Sequence, residues 1–208
     1  MNQVIKNDKC KKSPWWLCFA IIICYSFLYS LINSLPLHRK ILPFILNESS
    51  IPFLPFTLIF YLSSFVQSIF VLRVLPMVIL KRVMDVSILF IFIFFILYIL
   101  YPVKYPREIY ASNIYYYRLF YLIDKEGNCF PSLHVFVAIV FAYFYVFITR
   151  SIIKKILMWI WCFVITISVL TTKQHYMIDV FGGIALALLY FKIINPRIRN
   201  ITLDTSSF

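Results

Sequence analysis

Charged side chains are scarce in this chain, making up 13% of its 208 residues, about half the share of an average soluble domain, roughly 25%. Too few are present to clothe a soluble core, and no stretch is left over for a separate soluble domain. The five cysteines, Cys10, Cys18, Cys24, Cys129 and Cys162, show neither a CxxC nor dense spacing, so neither a disulfide framework nor a zinc site is indicated. Internal repeats and low-complexity tracts are missing. So is alternation of polar and apolar residues in runs such as Val86 to Phe95, which argues against a membrane β-barrel.

What is present is apolar: 62% of the residues are hydrophobic and 20% aromatic, and the mean hydropathy is +0.88. Six apolar segments, at about 15–37, 52–72, 86–102, 131–149, 153–171 and 176–194, approach the roughly 20 residues that cross a bilayer as a helix. Each is expected to be helical, because lipid offers the backbone no hydrogen-bond partner. The expected fold is all-α: a polytopic membrane helix bundle with six transmembrane helices, a single membrane domain over residues 1–208. The first segment follows a basic start at Lys6, Lys9, Lys11 and Lys12, but it is too long for a signal-peptide core and lacks a clear cleavage site. Ser13-Pro14 suits its helix start, with Ser as cap.

The formal net charge is +12. The basic residues sit in short breaks between apolar runs rather than in one patch, a pattern that points to orientation signals and lipid headgroups and not to nucleic acid. With the N-terminus inside, most of the 20 Lys and Arg residues fall in the cytoplasmic breaks at 6–12, 73–82, 150–155 and 192–199. The positive-inside rule therefore places both termini in the cytoplasm. The longest polar connection, 103–130, is an outer interfacial segment rich in tyrosine. It reads as a short helix near 108–122 lying on the membrane surface, or as a plain loop.

Three histidines are present. His38, beside Arg39 and Lys40, reads as a surface residue. His134 lies in Pro131-Ser132-Leu133-His134 where the fourth span begins, and unpaired N–H groups at such a terminus favour an anion such as phosphate, with Ser132 as a further donor. Taken alone, that string also reads as a helix start with an interfacial histidine. His175 and Asp179 are spaced to share a helix face. A carboxylate so placed fixes one ring nitrogen and frees the other as base or nucleophile, and a carboxylate inside a lipid-embedded helix is costly unless it has a function. A structural polar pair is the alternative. In the six-span topology Lys104, Arg107, Ser132, His134, Lys173, His175 and Asp179 all fall at one membrane face. Two histidines, a carboxylate and three cations at one level suit phosphoryl transfer: the cations neutralise phosphate oxygens, one histidine attacks phosphorus and the other protonates the leaving oxygen.

These residues resemble the type-2 phosphatidic-acid phosphatase superfamily, whose usual motifs read K-x6-R-P, P-S-G-H and S-R-x5-H-x3-D. Pro131-Ser132-Leu133-His134 resembles the second. Ser168, His175 and Asp179 have the spacing of the third. Lys104-Tyr105-Pro106-Arg107 is a shortened form of the first. Leu133 stands in place of Gly, Val169 in place of the third motif's Arg, and Glu108 in place of Pro. Lys173, four residues beyond Val169, lies on the same face if the helix continues, and would then supply the missing charge. A branch similar to inositol-phosphorylceramide and sphingomyelin synthases tolerates such changes. The resemblance implies His175 as a nucleophile forming a phosphohistidine, Asp179 orienting it, and His134 as acid and then base. It implies Lys104, Arg107, Ser132 and Lys173 as phosphate ligands, a lipid-phosphate substrate and no cofactor. No metal is implied, although His134, His175 and Asp179 are capable of ligating one.

Three functions follow from this reading. The first is a hydrolase removing phosphate from a lipid phosphate or pyrophosphate on the non-cytoplasmic face of a bacterial inner membrane or a eukaryotic endomembrane. The second is a phosphotransferase moving a phospho-headgroup between lipid alcohols. The third, of another class, is a proton-coupled transporter, which would place its ionisable groups near midplane rather than at span ends. A non-catalytic scaffold is the remaining alternative. Gly182-Gly183 on the sixth span permits close helix packing, within or between chains.

Overall fold

A computed structural model describes residues 13–43, 48–107, 114–124 and 127–203. The N-terminal basic cluster and the 108–113 part of the expected surface helix lie outside these residues. The described elements are α1 (Trp15–Asn33), β1 (Lys40–Ile41), α2 (Leu58–Val74), α3 (Met77–Leu100), β2 (Val103–Lys104), α4 (Tyr115–Ile123), α5 (Leu133–Ile148), α6 (Ile152–Thr171) and α7 (Met177–Leu203). Single 3₁₀ turns at Glu48–Ser50 and Pro55–Thr57 precede α2.

Every one of the six apolar segments contains a helix, and the protein is an all-α membrane bundle. Five helices are long and apolar enough to cross a membrane: Trp15–Asn33, Pro55–Val74, Met77–Leu100, Ile152–Thr171 and Met177–Ile198. The sixth, α5, has 16 residues, which at 1.5 Å per residue gives about 24 Å against a hydrocarbon core of about 30 Å.

The helix limits differ from the apolar limits in an instructive way. α3 begins at Met77, nine residues before its apolar run, and carries Lys81, Arg82 and Asp85 on exposed positions. Charge stops burial in lipid but does not stop a helix. α7 likewise runs past its apolar stretch to Leu203, with Pro196 inside it. At the other end of the chain Pro14 occupies the N-cap of α1, and the Ser13 hydroxyl, expected as the cap, instead donates to the carbonyl of Leu72 at 2.6 Å.

α5 is the central helix, packed against α2, α6 and α7, while α3 packs along α7. The contacts of α3 with α5 and α7 are aromatic: Phe90 stacks on Phe136 of α5 at 5.5 Å, Phe94 meets Phe136 edge-on at 5.0 Å, and Phe90 meets Tyr190 of α7 edge-on at 5.1 Å. Such pairs add about 0.5–1.5 kcal/mol each beyond area burial, useful where lipid supplies no hydrophobic drive between helices. α1 is peripheral, with Cys18 and Asn33 as its only buried positions.

Gly182 and Gly183 work within the chain. A Cβ on Gly183 would sit 2.5 Å from the Ser132 carbonyl oxygen and 3.2 Å from Val135 Cβ, and one on Gly182 would sit 2.9 Å from Phe130 and Pro131. The two glycines let the start of α7 close onto the start of α5.

The connections gather at one end of the bundle. Tyr98, at the end of α3, donates to the Pro131 carbonyl at 3.1 Å, and the N–H of Ser132 donates to the Asp179 carbonyl at 2.9 Å. The N–H of Leu54 donates to the Thr171 carbonyl at 2.9 Å, and Asn128 Nδ2 donates to the Tyr29 carbonyl of α1 at 3.3 Å. A parallel pairing of Lys40–Ile41 with Val103–Lys104 stitches the connection after α1 to the connection after α3. α4, found where either a surface helix or a loop is expected, is strongly amphipathic, with Tyr115 and Tyr116 exposed and Tyr117 fully buried.

Candidate active site

His175 lies in the short turn between α6 and α7. Its Nδ1 is 2.9 Å from the Cys129 carbonyl oxygen and 3.3 Å from Asp179 Oδ2. A carbonyl and a carboxylate can only accept. Nδ1 therefore carries the proton, and in the neutral ring Nε2 holds a free lone pair. Asp179 is fixed in turn: its Oδ2 accepts the backbone N–H of Tyr176 at 2.8 Å, at a helix start that favours negative charge. His175 and Asp179 are both buried. The shared helix face expected from their spacing is replaced by a turn-to-helix contact, because α7 begins only at Met177.

His134, in the first turn of α5, has its ring centroid 6.2 Å from that of His175. The two imidazoles, 41 positions apart in sequence, thus face one small volume. Tyr61 of α2 lies against His134 with ring centroids 4.1 Å apart, and Phe65 meets it edge-on at 6.1 Å. Ser132 is the N-cap residue of α5, one position before the first turn, and its side chain makes no cap bond. Its hydroxyl is buried without a hydrogen-bond partner.

Arg107 is 1% exposed. It donates from Nη1 to the Asp124 carbonyl at 3.0 Å, with Asp124 Oδ2 at 3.6 Å. Burial works against its charge, but the Asp124 carboxylate, joined by Cys129, Tyr61 and Tyr29, outweighs burial, so the guanidinium is held charged above its ordinary range. Its Nε is buried without a partner. Since buried polar groups are almost always bonded, two unpartnered donors near a histidine pair suit an anionic ligand. Lys104 contributes its carbonyl to the Tyr176 hydroxyl at 3.2 Å.

Lys173 is oriented by a helix end. α6 stops at Thr171, and Lys173 adopts φ 55°, so the continuous helical face that would carry its charge to the position of Val169 does not exist. Its Nζ donates to the carbonyls of Ile51 at 2.6 Å and Glu48 at 3.2 Å. Burial lowers its pKa, and Glu48 pushes the other way. Val169 is itself packed in an apolar cluster with Leu58, Tyr61, Tyr117, Val135 and Val180. Its carbonyl accepts the N–H groups of Gln174 and His175, which shapes the turn presenting His175.

Four residues at this end were not singled out in the sequence. Asp124 holds Arg107 and accepts from the Tyr61 hydroxyl at 3.1 Å. Tyr61 joins that pair to His134. Cys129 supplies the carbonyl on His175, and burial, joined by the Asp179 carboxylate, pushes its thiol up to about 12. Glu48 Oε1 accepts the N–H of Met177 at 2.7 Å, capping α7. The signal available was scarcity: Asp and Glu together number eight in the chain, so a carboxylate in a connection between apolar segments is informative by itself. His38 is exposed, as expected.

The fold and this cluster together define a helical membrane protein with a histidine pair and buried cations at one end of the bundle. A family model described as the PAP2 superfamily matches residues 51–193. The chain belongs to that superfamily, the type-2 phosphatidic-acid phosphatases, and membership supports a phosphatase- or phosphotransferase-type activity. The matched span includes every candidate site residue and leaves out α1. Comparison with curated proteins and with solved structures found no match.

Proposed function

We propose that the protein is a six-span membrane phosphatase that hydrolyses a lipid phosphate or lipid pyrophosphate on the non-cytoplasmic face through a phosphohistidine on His175. The observation that carries this reading is the double acceptor on His175 Nδ1, combined with His134 at 6.2 Å. One ring has its lone pair defined and the other lies within the span of one phosphoryl group.

In the first step Nε2 of His175 attacks phosphorus and the bond to the lipid oxygen breaks, with His134 giving that oxygen its proton. Nδ1–H becomes part of an imidazolium, whose charge Asp179 and the Cys129 carbonyl stabilise. In the second step His134 takes a proton from water, the water oxygen attacks phosphorus and the P–N bond breaks. Free phosphate leaves and the Nε2 lone pair returns. Arg107 and Ser132, with Lys104, hold the phosphate oxygens. Lys173 acts by fastening the 48–51 turn, because its ammonium is directed to the carbonyls there.

Replacing water by a lipid alcohol in the second step gives the phosphotransferase reading, which the departures at Leu133 and Val169, similar to those of the inositol-phosphorylceramide and sphingomyelin synthase branch, keep in play. Proton-coupled transport fits less well, since the ionisable cluster sits at helix ends rather than midway along broken helices. The test is a panel of lipid phosphates presented to the purified protein in EDTA, with and without added lipid alcohols. Release of phosphate without alcohol supports hydrolysis, product formed only with alcohol supports transfer, and neither sinks both.

A further inference from the structure

We propose that Cys129, His175 and Asp179 form a binding site for a thiophilic divalent ion, of the zinc, cobalt or cadmium class, which switches the nucleophile off. The inference rests on the reading of His175 given above and extends it to regulation of the same site.

One ligand atom from each of the three side chains lies within 4.8 Å of the other two, and all three residues are buried. Sulfur, imidazole nitrogen and carboxylate oxygen are each ligands of zinc-like ions, and three protein ligands leave a fourth position for water. A second observation points to a ligand here. Asp179 Oδ1 is buried without a hydrogen-bond partner, while Oδ2 is engaged by the Tyr176 N–H. A cation would give the orphan oxygen a partner. The sulfur selects among cations: Sγ faces the Gln174 and Gly127 carbonyls at 3.7 and 3.9 Å, and only an ion with real affinity for thiolate displaces its proton. Magnesium and calcium, which prefer oxygen ligands, are excluded on that ground.

Capture of Nδ1 has a chemical consequence. The metal takes the Nδ1 lone pair, so the proton on Nδ1 moves through solvent to Nε2, and the thiol proton is released to water. No electron changes hands, and one proton leaves per ion bound. The resulting tautomer carries N–H where the lone pair for attack had been. The contact that prepares His175 as a nucleophile therefore also offers the nitrogen by which a soft metal disables it.

The test uses the full chain, purified in detergent and stripped with chelator, and titrated with Co²⁺. Wild type is expected to develop a thiolate-to-cobalt charge-transfer band in the near ultraviolet, saturating at one ion per chain and abolished by Zn²⁺. Cys129→Ser is expected to lack the band. No band in wild type, or the same band in Cys129→Ser, would overturn the site. Should the variant fail to fold, X-ray absorption of the zinc-loaded wild type decides: one sulfur near 2.3 Å with nitrogen and oxygen ligands near 2.0 Å, both approximate, is required, and a shell without sulfur refutes the proposal. Lipid-phosphate hydrolysis is read in parallel. Zinc should inhibit wild type reversibly, magnesium should not, and Cys129→Ser should need about ten-fold more zinc relative to its own uninhibited rate. Inhibition equal in both proteins would overturn the switch. Absence of turnover in the metal-free wild type would instead count against the catalytic reading and leave the absorbance result standing on its own.

Discussion

Tyr61 lies against the ring of His134 at 4.1 Å and sends its hydroxyl to Asp124 at 3.1 Å, the same carboxylate that holds Arg107. One side chain thus touches both His134, the proposed proton-transfer group, and the carboxylate that holds Arg107, the proposed phosphate-binding cation. The two functions are separable by substitution. Tyr61→Phe keeps the ring contact and loses the hydroxyl, so a few-fold rise in KM is expected with kcat nearly unchanged. Tyr61→Ala removes both and is expected to lower kcat/KM about 10- to 100-fold, the usual range for a group supporting a catalytic residue. Tyr61→Phe should add nothing to Asp124→Ala, because the acceptor of that hydroxyl is then already gone. Steady-state kinetics on a lipid phosphate reads all three, and simple additivity would refute the shared linkage.

His175 has two acceptors on Nδ1, and that redundancy predicts an order of severity. His175→Ala removes the proposed nucleophile and is expected to reduce turnover by at least about 10³-fold. Asp179→Asn leaves the Cys129 carbonyl at 2.9 Å to hold the same tautomer, so a loss of only about 10- to 100-fold is expected. Acid-labile phosphate retained on the protein after quenching should vanish in His175→Ala and persist in Asp179→Asn. Equal loss in the two variants would mean that the carbonyl does not orient the ring.

The meeting of His134 with His175 was legible in the sequence because the expected alternation of six spans puts the starts of the fourth and sixth at one face, whatever their separation. Hydropathy located a helix in each of the six apolar segments for the same reason, that lipid tolerates little else, although five of the described helices, not six, are long and apolar enough to cross a membrane. Helix limits at Met77 and Leu203 were not legible, since a helix continues into water where hydropathy falls. Nor were Asp124 and Tyr61, which meet across 63 positions, or Cys129 and His175, which meet across 46. Irregular connections have no periodicity to read. Lys173 illustrates the limit best: its spacing from Val169 had meaning only on a continuous helix, and the turn at φ 55° removes that premise.

That turn yields a third prediction. The Lys173 ammonium donates to the Ile51 and Glu48 carbonyls, so Lys173→Met leaves both without that donor. The expected result is a loss of about 1–3 kcal/mol, read as a lower thermal midpoint in detergent, with KM for a lipid phosphate moved by less than about 3-fold. A large KM increase at unchanged stability would instead return Lys173 to direct phosphate binding.

The sharpest test of the packing compares two adjacent glycines. A methyl on Gly183 would meet the Ser132 carbonyl oxygen at 2.5 Å, which is backbone, whereas one on Gly182 would meet the Phe130 ring and Pro131 Cβ at 2.9 Å, which are side-chain atoms. Side chains yield by small rotations, but the Ser132 carbonyl is held, accepting the Phe136 N–H at 3.2 Å inside α5. Relief at Gly183 therefore requires the start of α5 to move away from α7, carrying His134 from His175 and stretching the bond from the Ser132 N–H to the Asp179 carbonyl. Gly183→Ala is expected to lose about 1–3 kcal/mol from overpacking. It is also expected to lose activity out of proportion, up to about 10²-fold, since a displacement near 1 Å in a catalytic pair is enough for that. Gly182→Ala should lose less of both. Thermal unfolding measured beside kcat on the same preparations checks the order, and a Gly183→Ala protein with full activity would show that the two imidazoles do not depend on this contact for their spacing.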